Sequence, residues 1–400
     1  MSGEKIYEGV FAVHKPQGIT SADVIRNLQH HFNPSKLFQP WLETERARRN
    51  RESKNQRRRR RTQRLDVKIG HGGTLDPLAT GVLVTGVGKG TKQLNDFLGC
   101  TKSYETVVQF GAETDSYDCL GKIVRRAPAE HVTRAAVEDA LARFRGRIMQ
   151  RPPIFSALKV NGKKLYEYAR EGQLPPIEIQ ERPVEVSDLR IVEWYEPGQH
   201  EFQWPQEEAP AEEKAVAEKL LEKNDARPVA APAQEAVMAD AAAAAPAKRK
   251  TPPPEGSSPK EDEKETPDES APSAKKQKVT AEGDAAPVEE PKQASSAAAE
   301  PEKTAVPRAQ SPAVKIVMTV SSGFYVRSLA HDLGKAVGSC GFMSSLVRTR
   351  QAHFDLDPEK VLEYKDLEAG EEVWGPKVQR FLEEWEKKRE AEERDPINAS

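Results

Sequence analysis

Gly70-His71-Gly72-Gly73-Thr74-Leu75-Asp76-Pro77-Leu78-Ala79-Thr80-Gly81 is the stretch on which the reading of this chain turns. Glycines admit backbone angles that other residues resist and let a bulky ligand come close. Pro77 fixes its own φ and biases Asp76 toward extended backbone. Val82-Leu83-Val84 then reads as the start of a buried strand. The sum is one carboxylate on a stiff loop at the edge of a core, a common place for a catalytic group. The spacing equally allows a plainer role, in which Asp76 is a turn residue capping a backbone N–H.

Two nucleotide-binding motifs fail here. A dinucleotide fingerprint needs G-x-G-x-x-G; Gly70 and Gly72 fit, but Leu75 holds the third glycine position. A P-loop needs G-x-x-x-x-G-K-[ST]; Gly81 and Gly86 are spaced correctly, but Val87 stands where the lysine belongs.

Working outward, Val10-Phe11-Ala12-Val13 reads as a short strand leading into the turn His14-Lys15-Pro16-Gln17-Gly18, where Lys15 and Pro16 read as structural. Thr20 or Ser21 can cap a helix running to about His31, which Asn33-Pro34 ends. Residues 35–65 form a basic insertion, dense from Arg46 to Arg64 with five arginines at 57–61. It reads as a solvated helix or disordered arm, as a phosphate contact beside the loop, or as a nuclear signal. Thr91 begins a helix carrying Leu94, Phe97 and Leu98, and Tyr104 to Phe110 alternates as a strand. Thr133 caps a helix with Val137, Leu141 and Phe144 on one face. Asn161-Gly162 is a type I′ hairpin signal. A short helix from Leu165 and a strand from Val184 to Tyr195 follow.

Composition limits how much of the chain folds. Hydrophobic content is 37%, charged content 31%, and there are 30 prolines, too polar a mix for an entirely folded chain. The polarity concentrates in residues 197–312, which read as a disordered insert of Ala/Pro/Glu/Lys tracts, with a short helix near 211–223. Lys248-Arg249-Lys250 and Lys275-Lys276-Gln277-Lys278 are basic islands within it. Residues 1–196 carry 33 Lys+Arg against 24 Asp+Glu, whereas 197–312 carry 15 against 23. A basic body with acidic appendages suits a polyanionic partner. Three scattered cysteines, Cys100, Cys119 and Cys340, form no C-x-x-C pair and read as reduced intracellular thiols. No apolar run reaches membrane-span length, and the start of the chain shows neither a signal peptide nor a clear transit peptide.

The chain from Gly70 through Leu83 resembles the catalytic motif of the TruB family, the tRNA pseudouridine-55 synthases. The likeness covers roughly residues 9–32, 66–196 and 313–352, in the family's order. Lys102-Ser103-Tyr104 is similar to the family's Lys/Arg-x-Tyr element, and Ser322-Gly323-Phe324-Tyr325-Val326-Arg327 to its Gly-Thr-Tyr-Ile-Arg element. The resemblance implies that Asp76 is the catalytic aspartate, that Tyr104 stacks on the target base and that Arg327 pairs with Asp76. It further implies that Leu346 lines the uracil pocket and that His71 and Tyr325 lie on the substrate side. Thr114, Asp115 and Asp118 read as shaping a loop.

The expected fold is therefore α/β (α+β), a pseudouridine-synthase catalytic domain. It has a mixed, mainly antiparallel sheet flanked by helices and is split into 1–196 and 313–352 by the insert. Residues 353–400 are expected to be a helical charged tail. The insert joins two neighbouring strands, so residues 205–308 should be replaceable by a short turn. The resemblance implies no cofactor and no metal, and tRNA as partner through its T-loop and T-arm, with some mRNA besides. It is read as a monomer of the nucleus or cytoplasm, and a mitochondrial pool stays open. Two alternatives remain: a guide-RNA-dependent, dyskerin-like synthase, and a catalytically silent tRNA-binding or folding module.

Overall fold

The structure, a computed structural model, describes residues 5–53, 55–56, 64–153, 156, 158–170, 176, 179–211, 214 and 311–394. The arginine run at 57–61, most of the expected insert and both of its basic islands lie outside the described residues, as does the helix expected near 211–223 apart from Ala211 and Lys214.

Strand β1 (Gly9–Lys15) is apolar on both faces and buried along nearly its whole length, which makes it an interior strand. The chain then turns through Pro16-Gln17-Gly18 into helix α1 (Ser21–Phe32). Thr20 accepts from the Asp23 N–H and Asp23 reaches back to Thr20, a capping box that sets where α1 starts. Val24, Leu28 and Phe32 recur at helical spacing and face the core. Helix α2 (Gln39–Asn50) follows, then β2 (Ile69–His71), β3 (Thr80–Val87), α3 (Leu94–Gly99) and β4 (Lys102–Phe110). Hairpin β5 (Ala112–Thr114) and β6 (Ile123–Arg126) precedes α4 (Arg134–Leu141) and β7 (Gly146–Gln150). Next come β8 (Lys159–Val160), β9 (Lys163–Lys164), α5 (Leu165–Arg170) and β10 (Arg182–Tyr195). After the insert come β11 (Ala313–Val320), α6 (Val326–Ala336), β12 (Gly341–Gln351), β13 (Phe354–Asp355), β14 (Val361–Glu363) and α7 (Glu371–Arg394).

One sheet organises these elements, in the order β14-β1-β3-β12-β4-β11-β10-β7, with β2 beside β3 and β13 beside β12. Among the described strands of this sheet, only β1/β14 and β3/β12 pair in parallel. The sheet is thus mixed and mainly antiparallel, with helices against it, as expected. β10 and β11 are antiparallel neighbours that meet at Tyr195 and Ala313, so the insert leaves the sheet at a hairpin. On one face, α6 lays Leu329, Ala330 and Leu333 into the core. In the same core Phe32 stacks on Phe38 at 4.5 Å and on Trp374 at 4.8 Å, joining α1, α2 and α7. Each such ring, fully buried, is worth about 1.5–3 kcal/mol of transfer free energy.

Four expectations are corrected. Residues 353–400 are not simply a helical tail: Val361–Glu363 is an edge strand on β1, and Trp374, Val378, Phe381 and Leu382 of α7 are buried. The helix expected from Thr91 begins instead at Leu94, after a 3-10 turn at Gly88–Lys92, and of its apolar residues Leu94 and Phe97 are buried while Leu98 is 47% exposed. The described start of the basic insertion is a docked helix. Its Trp41 donates to Glu8 at 2.9 Å, beyond the Gly9 end of β1. That end lies about 20 Å along the strand from the Lys15 end. Finally, the insert does not begin at 197. His200 and Ala209 are buried, and Ala209 N–H donates to the Ile123 carbonyl at 3.0 Å. Tight packing between Glu196 and Ala209 was hidden by a polar composition.

Gly81 is the position where the parallel β3/β12 pair admits no side chain. Its φ is +105°, and a Cβ there would overlap the Arg348 carbonyl oxygen. Gly81→Ala is expected to lower unfolding free energy by about 3 kcal/mol or more, combining backbone strain with displacement of β12. Urea denaturation measures this, and a loss under about 1 kcal/mol would mean the strands part without cost.

Candidate active site

The Asp76 loop spans the gap between β2 and β3, and its backbone is pinned from below. Lys15 at the end of β1 is fully buried, and its Nζ donates to the carbonyls of Pro16 (2.9 Å), Pro77 (3.4 Å) and Ala79 (2.6 Å). Gly18 N–H donates to the Pro77 carbonyl at 2.8 Å. Ser21 Oγ, at the start of α1, accepts from Leu75 N–H at 2.8 Å and donates to the Leu75 carbonyl at 3.0 Å. Leu75, Leu78 and Ala79 are buried around Asp76. The turn after β1 is therefore a socket for the loop, which agrees with the structural reading of Lys15 and Pro16.

The glycine half of the loop rests on β12. Arg348 is 1% exposed, and its Nε donates to the Val82 carbonyl at 2.7 Å and its Nη2 to the Gly73 carbonyl at 3.2 Å. Gln351 Nε2 donates to the Phe97 carbonyl at 2.8 Å and to the Gly72 carbonyl. Sequence reading missed both residues, because a charged side chain in an alternating strand is ordinarily solvent-facing. His71 sits at the end of β2 opposite Thr85. Its Nδ1 is buried without a hydrogen-bond partner, and burial, with Arg348 nearby, holds the imidazole below its usual range and so neutral.

Asp76 itself remains one-third exposed and receives Arg327 Nε at 2.8 Å. Arg327 opens α6, and only 7% of its side chain is exposed. Its Nη1 donates to the Ser116 carbonyl at 2.9 Å, and Nε lies 3.8 Å from Asp118 Oδ2. Asp118 accepts from Ser116 Oγ at 2.7 Å and from Leu120 N–H at 3.1 Å. Burial pushes the Asp118 carboxyl up, against the pull of Arg327 and these donors. The start of α6 is set by Gln150 at the end of β7. Gln150 accepts from Tyr325 N–H at 2.8 Å and donates to the Tyr325 carbonyl at 3.0 Å. Tyr325 is thus held by its backbone directly before Val326 and Arg327.

Tyr104 and Leu346 stand on the sheet beside this pair. Tyr104 on β4 is 8% exposed and lies opposite Arg348 on β12, which in turn lies opposite Gly81 on β3. Leu346, 6% exposed, lies two residues before Arg348 and shares its face. A row thus runs from the Asp76 loop across β12 to Tyr104. Among the described residues, no group of three or more His, Cys, Asp or Glu is placed to hold a metal, and no helix is long and apolar enough to cross a membrane.

Chemically the site is one solvent-reachable carboxylate that accepts a charge-assisted hydrogen bond from a guanidinium and is floored by apolar side chains. Residues 57–208 match the family described as TruB family pseudouridylate synthase, N terminal domain. Over 367 residues the chain is 37% identical to tRNA pseudouridine synthase 4 of Schizosaccharomyces pombe, spanning 90% of this chain and 83% of that one. Over 383 residues it is 31% identical to tRNA pseudouridine synthase 4 of Saccharomyces cerevisiae, spanning 94% and 85%. Among solved structures, one titled a Cbf5-Nop10-Gar1 complex matches at 17% identity and a TM-score of 0.41, over 93% of this chain and 59% of that chain. The chain belongs to the TruB family of tRNA pseudouridine synthases, and as such it is an isomerase.

The buried Lys15 makes the loop's socket pH-dependent. Burial draws its ammonium from the usual 10.5 down to about 8, partly offset by the Asp76 charge. Between those values the unfolded chain holds more protons than the folded one, so stability rises with pH through that window. The penalty of the buried cation is fully present below it. Lys15→Met has no such proton to lose and lacks this rise. Urea midpoints at pH 7 and pH 10 check it: the wild type gains on the variant at the higher pH. Equal shifts in the two proteins would mean that Lys15 keeps an ordinary lysine pKa.

Proposed function

We propose that the enzyme isomerises the T-loop uridine at position 55 of tRNA to pseudouridine, with Asp76 as the nucleophile. The observation that carries this reading is the 2.8 Å hydrogen bond from Arg327 to Asp76 in a mostly buried setting. A nucleophilic carboxylate must be ionised and aimed. The guanidinium holds one carboxylate oxygen by a charge-assisted hydrogen bond and leaves the other for the substrate. An assembled pair of this kind speaks against a catalytically silent tRNA-binding module.

The reaction conserves composition. The bond from C1′ to N1 breaks, the uracil turns, a bond from C1′ to C5 forms, the proton on C5 leaves and N1 gains one. Asp76 drives the first step by attack either on the base or on C1′, and both routes use the same oxygen. Tyr104 offers its ring to stack on the uracil, which must first leave its helical stack at a cost of a few kcal/mol. Leu346 supplies an apolar wall. His71, neutral and buried on one side, props the loop and exchanges no proton in this scheme. The basic body meets the tRNA phosphates. The same chemistry acts on an mRNA segment folded like a T-loop. Localisation to the nucleus or cytoplasm rests on basic runs, of which the Arg46–Arg51 region of α2 and its flank and Arg64 lie among the described residues.

Pseudouridine mapping of unmodified tRNA transcripts incubated with the protein should show conversion at the T-loop uridine. Conversion at other positions instead would sink that specificity. Asp76→Asn should reduce the single-turnover rate by about 10,000-fold, the scale on which loss of a nucleophile is felt, while tRNA still binds. Tyr104→Ala should slow the chemical step far more than it weakens affinity, because many phosphate contacts hold the RNA. An unchanged rate with a large loss of binding would reassign Tyr104 to docking.

A further inference from the structure

We propose that residues 199–209 form a strap that positions Arg327 for catalysis, with Trp204 and the Glu207–Ala209 backbone as its positioning elements. This rests on the reading of Asp76 and Arg327 as the reacting pair.

The strap is fastened at both ends. His200 Nε2 contacts the Ser311 carbonyl at 2.8 Å, and Trp204 Nε1 donates to Ser311 Oγ at 2.9 Å, next to the start of β11. Gln109 of β4 donates to the Phe202 carbonyl at 3.2 Å. Trp204 then lies over Gly111, where a Cβ would meet its ring at 2.7 Å, so the backbone approach needs glycine. Arg126 of β6 stacks its guanidinium on the Trp204 ring at 4.9 Å and pairs with Glu208 at 3.0 Å. Beyond Trp204 the chain runs beside β6 as a short parallel bridge. Ile123 N–H donates to the Glu207 carbonyl at 2.9 Å, and Ala209 N–H donates to the Ile123 carbonyl at 3.0 Å.

The consequence lies at the other edge of β6. β5 and β6 are a two-stranded ribbon, and a two-stranded ribbon alone is marginally stable in water. The strap gives it a third edge. The ribbon's loop carries Ser116 and Asp118, two partners of Arg327 besides Asp76. The loop is also touched by β12, through Met343 N–H to the Tyr117 carbonyl at 3.0 Å, and by α6, through the His331 ring stacked on Tyr117 at 4.1 Å. These contacts hold the loop tip; behind it, Glu113 of β5 pairs with His331 of α6 at 2.9 Å and Ile123 packs on Phe342, and the strap adds the hydrogen bonds along the free edge of β6. Four contacts therefore connect Glu208 to Asp76: Glu207–Ala209 to Ile123, β6 to β5, the Ser116 carbonyl to Arg327, and Arg327 to Asp76.

A misplacement of about 1 Å in a catalytic arrangement can cost 100-fold in rate. The test uses the full chain with Trp204→Ala, Ala209→Pro, which removes the bridging N–H, and Trp204→Phe. Single-turnover rates at saturating enzyme are expressed per folded molecule, with the folded fraction taken from near-ultraviolet circular dichroism. The tRNA Kd and the Arg327 Nε–Hε resonance in arginine-labelled protein complete the set. Trp204→Ala and Ala209→Pro are expected to slow the step about tenfold or more, move the Arg327 resonance and leave Kd within about twofold. Trp204→Phe keeps a ring over Gly111 and should recover most of the rate. Rates per folded molecule equal to wild type, or losses appearing only in Kd, overturn the strap. Asp76→Asn in the same assay separates the two readings. If it keeps its rate, the nucleophile reading fails, whereas the strap fails when Trp204→Ala keeps both the rate and the Arg327 resonance.

Discussion

Arg327 and Asp76 are 251 residues apart in sequence and 2.8 Å apart in space, and that contact constrains much of the remaining architecture. A guanidinium with 7% of its side chain exposed is costly to bury unless its donors are paired. Asp76, the Ser116 carbonyl and Asp118 supply that pairing from two separate loops. Each loop must therefore arrive at the start of α6 at the same depth. The sheet order achieves this by placing β12 between β3 and β4, so that a late strand lies beneath an early loop.

Preorganisation of Asp76 follows from where the other cations sit. Lys15 and Arg348 spend their donors on backbone carbonyls of the loop and its flanks and not on Asp76 itself. Their hydrogen bonds fix the backbone, and their charge adds a favourable field without occupying the Asp76 oxygens. Fixed donors of this kind need no reorganisation when charge moves in the reaction. Gln150 does the matching work on the far side by holding Tyr325 through both backbone groups, which sets where α6 begins. The carboxylate and guanidinium are thus each anchored through the backbone beside them, by Lys15 and Arg348 on one side and Gln150 on the other.

Local signals were legible in proportion to how local they are. The N-cap at Thr20 or Ser21, the Asn161-Gly162 turn and the short apolar β1 could be read directly, because a few neighbouring residues determine each. The Asp76 loop was visible as a stiff acidic turn, but its pairing with Arg327 came only from family resemblance. No spacing rule links positions so far apart. Arg348 and Gln351 were missed because burial of a charged or amide side chain depends on carbonyls supplied by another strand. Val361–Glu363 was taken for helix, since three residues carry too little periodicity to show a strand. Leu98 illustrates the converse: an apolar residue at a plausible spacing is still exposed when the helix has only six residues to turn on.

The insert shows where composition ceases to be a guide. Between Glu196 and Ala209 the sequence is rich in Glu, Gln and Pro, yet Trp204 and Ala209 make contacts that a polar average conceals. A single tryptophan with a stacked arginine and a satisfied indole N–H can anchor a short segment that has no regular periodicity. The part of the insert that a short turn could replace must therefore lie beyond the bridge to Ile123. Loop closure changes by only about 0.6 kcal/mol per doubling of length, so the length of what lies beyond hardly matters to the sheet. The anchored flank matters more: it turns a two-stranded ribbon into a three-edged support, and that ribbon holds the loop on which Arg327 rests.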